Sequence, residues 1–170
     1  MKLWLLDADV IIDLLSAGIF DDLVERHEVY TATIVIGEVK SFYSSGEKKL
    51  INFRTLYVDN GKVKELTANA GEINDILLKI PSLWRGALHA GELESLAILS
   101  REEDLIFCSC DALPIRTLPF LDASEKGISI EKLIKISGLK RIELEAKHTE
   151  EYFQNNLSIG KVRMVENFKS

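Results

Sequence analysis

Two short apolar runs, each ending abruptly in polar residues, frame the chain. The first is Leu3-Trp4-Leu5-Leu6, which stops at Asp7; the second is Leu105-Ile106-Phe107-Cys108, followed by Ser109-Cys110-Asp111. Runs of this length, apolar on both faces, suit parallel strands buried between two layers. After each run the spacing changes to that of a helix: Val10, Ile11, Leu14 and Leu15 after the first, and residues 112–118 after the second, with Pro114 tolerated in a first turn. Asp9 is expected to cap the first helix, over 9–16.

Between these junctions the pattern predicts a helix over 19–26, a short strand at 28–30 and a helix from Thr31 or Thr33 through 41. A break follows at Ser44-Ser45-Gly46. Asn60-Gly61 predicts a hairpin joining 55–58 to 63–66, because both central positions of such a turn need positive φ. A helix over 71–80 ends at Pro81. Leu93, Leu96, Ala97 and Ser100 mark another helix with Glu92 in its first turn and His89 before it, in a loop or capping role. Glu92 and Glu94 cannot share a helix face, so only one of them can face a site. A last short strand at 127–129 precedes a helix over 130–137 stopped by Gly138, without a capping-box acid at Lys132. Residues 143–157 read as an amphipathic helix, with Thr149 as an internal restart. Residues 160–170 are too polar to assign. Alternating strands and helices predict a three-layer α/β/α sandwich on a central parallel sheet over residues 1–139, with a C-terminal helical extension or tail over 140–170.

Composition changes this picture only at the margins. The 170 residues suffice for one domain with a substantial core. Two cysteines one residue apart cannot build a disulfide framework or a four-ligand zinc site, and are expected as small apolar core residues. No run is long and apolar enough to span a membrane, and Asp7, Asp9 and Asp13 interrupt the first one, so a cytoplasmic, membrane-free protein is expected. The net charge of −6 is uneven: residues 126–170 carry nine Lys/Arg against six Glu, so the first 125 carry −9. A carboxylate-rich site plus a separate phosphate-contacting surface fits that asymmetry, as do two merely solvated faces.

Four acids, Asp7, Glu38, Glu92 and Asp111, are predicted at strand C-termini or on helices packed at that edge, where open α/β sheets place ligands. Each alone has a bland reading: turn or cap for Asp7, a partner such as Lys40 or Lys2 for Glu38, dipole compensation for Glu92. Together they need a cation, because crowded carboxylates raise each other's pKa. Oxygen ligands suit Mg2+ or Mn2+, which can activate water and neutralise a phosphate under in-line attack.

The same stretches resemble PIN-domain nucleases. L-L-D-A-D-V-I-I-D-L-L resembles their opening D-x-N/S-V-L-I-D-L; T-A-T-I-V-I-G-E-V resembles the element supplying a helical Glu, here Glu38; H-A-G-E-L-E-S-L-A-I-L resembles the G-E-x-E-A-I-x-L-A segment of one branch, with Glu92; and I-F-C-S-C-D-A-L resembles the late strand ending in T/S-x-D, with Ser109 and Asp111. The resemblance spans residues 2 to about 139. It implies a Mg2+- or Mn2+-dependent endoribonuclease acting on RNA, often the toxin of a toxin–antitoxin pair, with an antitoxin-like protein partner and a homodimeric state. By carry-over Asp7, Glu38, Glu92 and Asp111 hold the metal and do the catalysis, with Asp9 as a further metal-side acid and Ser109 assisting at the substrate. Asp9 replaces the usual Asn or Ser, and Ala112-Leu113 provide no extra acid after Asp111. Two alternatives stand beside this: a PIN-like RNA- or protein-binding module that has lost catalysis, and a haloacid-dehalogenase-type phosphatase using D-A-D-V, with Asp7 as nucleophile and Asp9 as acid.

Overall fold

The computed structural model describes residues 3–169; Lys2, one of the partners considered for Glu38, lies outside the described residues. Five strands, β1 (Leu3–Leu6), β2 (Glu28–Ala32), β5 (Val63–Leu66), β6 (Ile106–Cys108) and β7 (Gly127–Ile128), form one sheet in the order β5-β2-β1-β6-β7, and every pairing in it is parallel. Consecutive residues Trp4, Leu5 and Leu6 are all 0% exposed. Neighbours on a strand point to opposite faces, so helices must cover both sides of β1. The three-layer α/β/α class expected from the sequence is the one observed. Each fully buried Leu or Ile of this core contributes roughly 1.5–3 kcal/mol.

The helices are α1 (Ala8–Ser16), α2 (Phe20–Arg26), α3 (Thr33–Glu38), α4 (Ala70–Lys79), α5 (Ser82–Arg85), α6 (Ala90–Arg101), α7 (Ala112–Thr117), α8 (Ile130–Ile136) and α9 (Glu150–Lys169). None of those described is long and apolar enough to cross a membrane. The chain runs from β1 outward to β2 and β5, then crosses back to place β6 and β7 on the other side of β1. The strand order therefore reverses between β1 and β6, and the crevice beyond their carboxyl ends is where such sheets bind ligands.

The hairpin predicted around Asn60-Gly61 is not there. Arg54–Val58 is a π-helical turn, and Val63–Leu66 is a parallel edge strand on β2. Gly61 does take the positive φ, 78°, but its N–H closes onto the Val58 carbonyl at 3.0 Å. Aromatic packing overrode the turn signal. Phe53 and Tyr57 lie four apart, stack at 5.1 Å and close on Phe20. The antiparallel hairpin lies earlier, between β3 (Ser41–Ser44) and β4 (Glu47–Leu50), at the stretch read as a break. Ser45 and Gly46, at φ 53° and 76°, supply its positive-φ pair.

The C-terminal reading also shifts. Ala146–His148 form one 3-10 turn, and the long helix starts only at Glu150, running through the polar stretch left unassigned. Thr149, the anticipated restart, is its cap, accepting the Tyr152 N–H at 3.1 Å. The helix docks by close backbone approach: a Cβ at Gly160 would stand 2.2 Å from the Arg116 carbonyl oxygen on α7. Phe153 and Leu157 are buried there, and Arg116 donates to Asn156 at 2.9 Å.

Candidate metal centre

Asp7 is the first residue past β1, and its N–H still extends the ladder to the Cys108 carbonyl at 3.2 Å. Its backbone is extended, and Oδ1 accepts the Ala8 N–H at 2.9 Å. Asp7, not Asp9, is therefore the α1 cap. The sequence cannot separate two acids one residue apart when either could start the helix. Asp7 is only 3% exposed. Burial pushes its pKa up to about 7, and the negative charges of Asp111, Glu92 and Asp9 push the same way.

Asp111 occupies the equivalent place after β6, at the start of α7, and its carboxylate makes no capping bond. Partial burial first, then the Asp9 and Glu92 charges, raise its pKa to about 7. Ser109 ties the two junctions together. Its hydroxyl donates to Asp7 Oδ2 at 3.2 Å and its Oγ accepts the Asp111 N–H at 3.2 Å. Ser109 is buried, which makes it a brace between the two acids and not an open substrate contact.

Glu92 arrives from a third element, in the first turn of α6, buried, with Oε2 accepting the His89 N–H at 2.9 Å. Asp7, Glu92 and Asp111 each bring a carboxylate oxygen to within 4.8 Å of the other two. Glu94 points elsewhere, as helix geometry requires, and binds Ile34 N–H, the Thr67 hydroxyl and Ala68 N–H.

Glu38 and Asp9 are not in the close set. Both are exposed at its mouth. The Glu38 carboxylate lies against Gly91, where a Cβ would meet Oε1 at 2.7 Å. Partial burial first, then the Glu92 charge, raise the Glu38 pKa. No ion pair involves Glu38 among the described residues, so the Lys40 partner considered from the sequence is not observed.

The donor set fits a hard divalent cation. It contains carboxylate oxygens and no sulfur or imidazole. Octahedral ligands about 2.0–2.1 Å from a small ion stand about 2.9 Å apart when adjacent and about 4.2 Å apart when opposite, so three oxygens within 4.8 Å of one another can close onto such an ion by side-chain movement. A metal ion can therefore be held by Asp7, Glu92 and Asp111.

Asp13, Lys147 and His148 were missed at the sequence level. Asp13 lies one turn beyond Asp9 on α1. It accepts from His148 Nε2 at 2.8 Å and pairs with Lys147 Nζ at 3.1 Å. His148 is buried and its Nδ1 accepts the Glu145 N–H at 3.1 Å, which leaves the ring proton on Nε2, facing Asp13. The Asp9/Asp13 spacing was visible in the sequence. Nothing local could reveal that residues near 147 fold back onto it.

Comparison with protein-family models, curated proteins and solved structures finds no match.

Proposed function

We propose that the chain is a Mg2+- or Mn2+-dependent endoribonuclease of PIN-like design. The observation that carries this reading is the convergence of three carboxylates, from three separate elements, at the point where the strand order reverses. Buried like charges at this spacing disfavour their own ionised forms, and a cation is the simplest compensation. Asp7, Glu92 and Asp111 would hold it. When bound there, the ion would supply charge neutralisation at the phosphate and acidity to an attacking water. Ser109 fixes the spacing of the two aspartates. Glu38, at the mouth with a raised pKa, would accept a proton from the attacking water. RNA as the substrate, an antitoxin-like partner and homodimerisation rest on the sequence resemblance.

The test is cleavage of a labelled single-stranded RNA with Mg2+ or Mn2+, with chelator, and with Asp7→Asn. Metal-dependent cleavage lost in the variant supports the reading; cleavage that survives chelation and the substitution refutes it. The binding-module reading is favoured by Ala112-Leu113, which leave α7 without a second acid. It predicts no manganese binding at millimolar concentration by a folded protein. The phosphatase reading is disfavoured by Asp7 itself: a nucleophile must reach substrate, and this carboxylate is buried with both oxygens hydrogen-bonded.

A further inference from the structure

The acidic cluster has a basic neighbour that comes from the far end of the chain. The turn at Ala146–His148 is pinned to α1 through His148 and Asp13, and the adjacent Lys147 is fixed by the same carboxylate. Asp9 and Asp13 are four apart and share a helix face, and Asp9 reaches Asp111. The Lys147 charge accordingly acts on Asp111, counter to the acids around it. An ammonium has three N–H donors, and the Asp13 pair engages one. About a third of the Lys147 side chain is open to solvent, so the residue is not sealed behind its Asp13 pair.

A divalent ion held by three ionised carboxylates would leave the site with a net charge of about −1, which does not attract a polyanion. A lysine alongside supplies attraction that the acids cannot, and an ammonium is a ready partner for a phosphate oxygen.

We propose that Lys147, positioned by the His148–Asp13 latch, forms a phosphate subsite that takes a non-bridging backbone oxygen of the RNA strand beside the metal centre. This rests on the nuclease reading above. In a buried-acid site of this kind the C-terminal segment is part of the active surface and not a passive appendage.

The experiment compares wild type, Lys147→Met and Lys147→Arg, cleaving a labelled single-stranded RNA in Mn2+ over a series of salt concentrations. Met keeps the aliphatic stem and Arg keeps the charge, so both retain most packing. The Met variant is expected to raise KM about tenfold, with kcat changed much less. It should also flatten the dependence of log affinity on log salt by about 0.7, the share of one phosphate contact on a single strand. Manganese affinity, read by calorimetry, should not weaken, and Arg should restore most of the KM. A folded Met variant with wild-type KM and salt slope overturns the subsite, including where its thermal midpoint falls, since that result assigns the Asp13 pair to stability alone. If wild type neither binds Mn2+ nor cleaves, the nuclease reading falls and takes the subsite with it. If wild type cleaves and the Met variant matches it, only the subsite falls.

Discussion

Glu92 and Glu94 stand two residues apart on α6 and are buried to a similar degree, 7% and 3% exposed. Their surroundings are opposite. Glu94 faces donors: Ile34 N–H at 2.8 Å from Oε1, and the Thr67 hydroxyl and Ala68 N–H at 3.2 and 3.4 Å from Oε2. It clamps α6 to the start of α3 and to the segment after β5. Glu92 accepts the His89 N–H and otherwise faces the carboxylates of Asp7 and Asp111. Burial alone does not mark an acid as functional. A buried carboxylate ringed by N–H and O–H groups is already paid for by hydrogen bonds, whereas a cluster of buried acids leaves oxygens free to converge on a cation.

The largest effect that sharpens this contrast is at Asp7. Asp7→Asn should lower RNA cleavage by on the order of 10³-fold. The same change should raise the thermal midpoint of the metal-free protein at pH 8, because it removes a buried charge whose neighbours repel it. A variant that loses both activity and stability would place Asp7 with Glu94, among the structural acids.

Next is the pH dependence of stability without metal. The Asp7 pKa is about 7 folded against 3.8 for the free side chain. Below the lower value both states are protonated and no penalty exists; above the higher value both are ionised and the folded state bears all of it. Stability should therefore fall as pH rises from about 4 to about 7, by roughly 4 kcal/mol for Asp7 alone. Asp111 acts in the same direction, and its charge is one of the causes that raise the Asp7 pKa, so their contributions do not simply add. Urea melts at fixed ionic strength check the slope, and saturating Mn2+ should flatten it.

Glu94→Ala should cost about 3 kcal/mol in the same melts, because it strands three donors. Activity per folded molecule should change little. The smallest effect is at Gly91. The atoms nearest an added methyl are those of the movable end of Glu38. Gly91→Ala should leave the melt within about 0.5 kcal/mol and lower cleavage several-fold by turning Glu38 away. Unchanged cleavage would remove Glu38 from the proton-accepting role.

The residues that the sequence made legible share one property: their signal is local. Asp7 and Asp111 each close a short apolar run, so a strand end and its acid are read together. Glu92 and Glu94 separate by helix geometry alone. The metal-side role given to Glu38 and Asp9 was harder to place, since a helix position fixes the face of a side chain but not how far it reaches. The misread hairpin had two competing turn signals, Ser45-Gly46 and Asn60-Gly61. The choice between them was made by Phe20, Phe53 and Tyr57 packing across the chain. The helical run beyond Gly160 looked unassignable because almost nothing in it is buried; the helix is anchored from its first half, by Phe153, Leu157 and a glycine that leaves no hydrophobic mark. Lys147 was invisible for the same reason: its meaning comes from Asp13, at the other end of the molecule.

The most direct measurement is a calorimetric titration of Mn2+ into wild type, Glu92→Gln and Glu94→Gln at pH 7.5. Saturable binding to wild type and to the Glu94 variant, weakened at least tenfold in the Glu92 variant, is the predicted result. No binding to folded wild type, or equal binding by the Glu92 variant, would contradict a metal centre built on Asp7, Glu92 and Asp111.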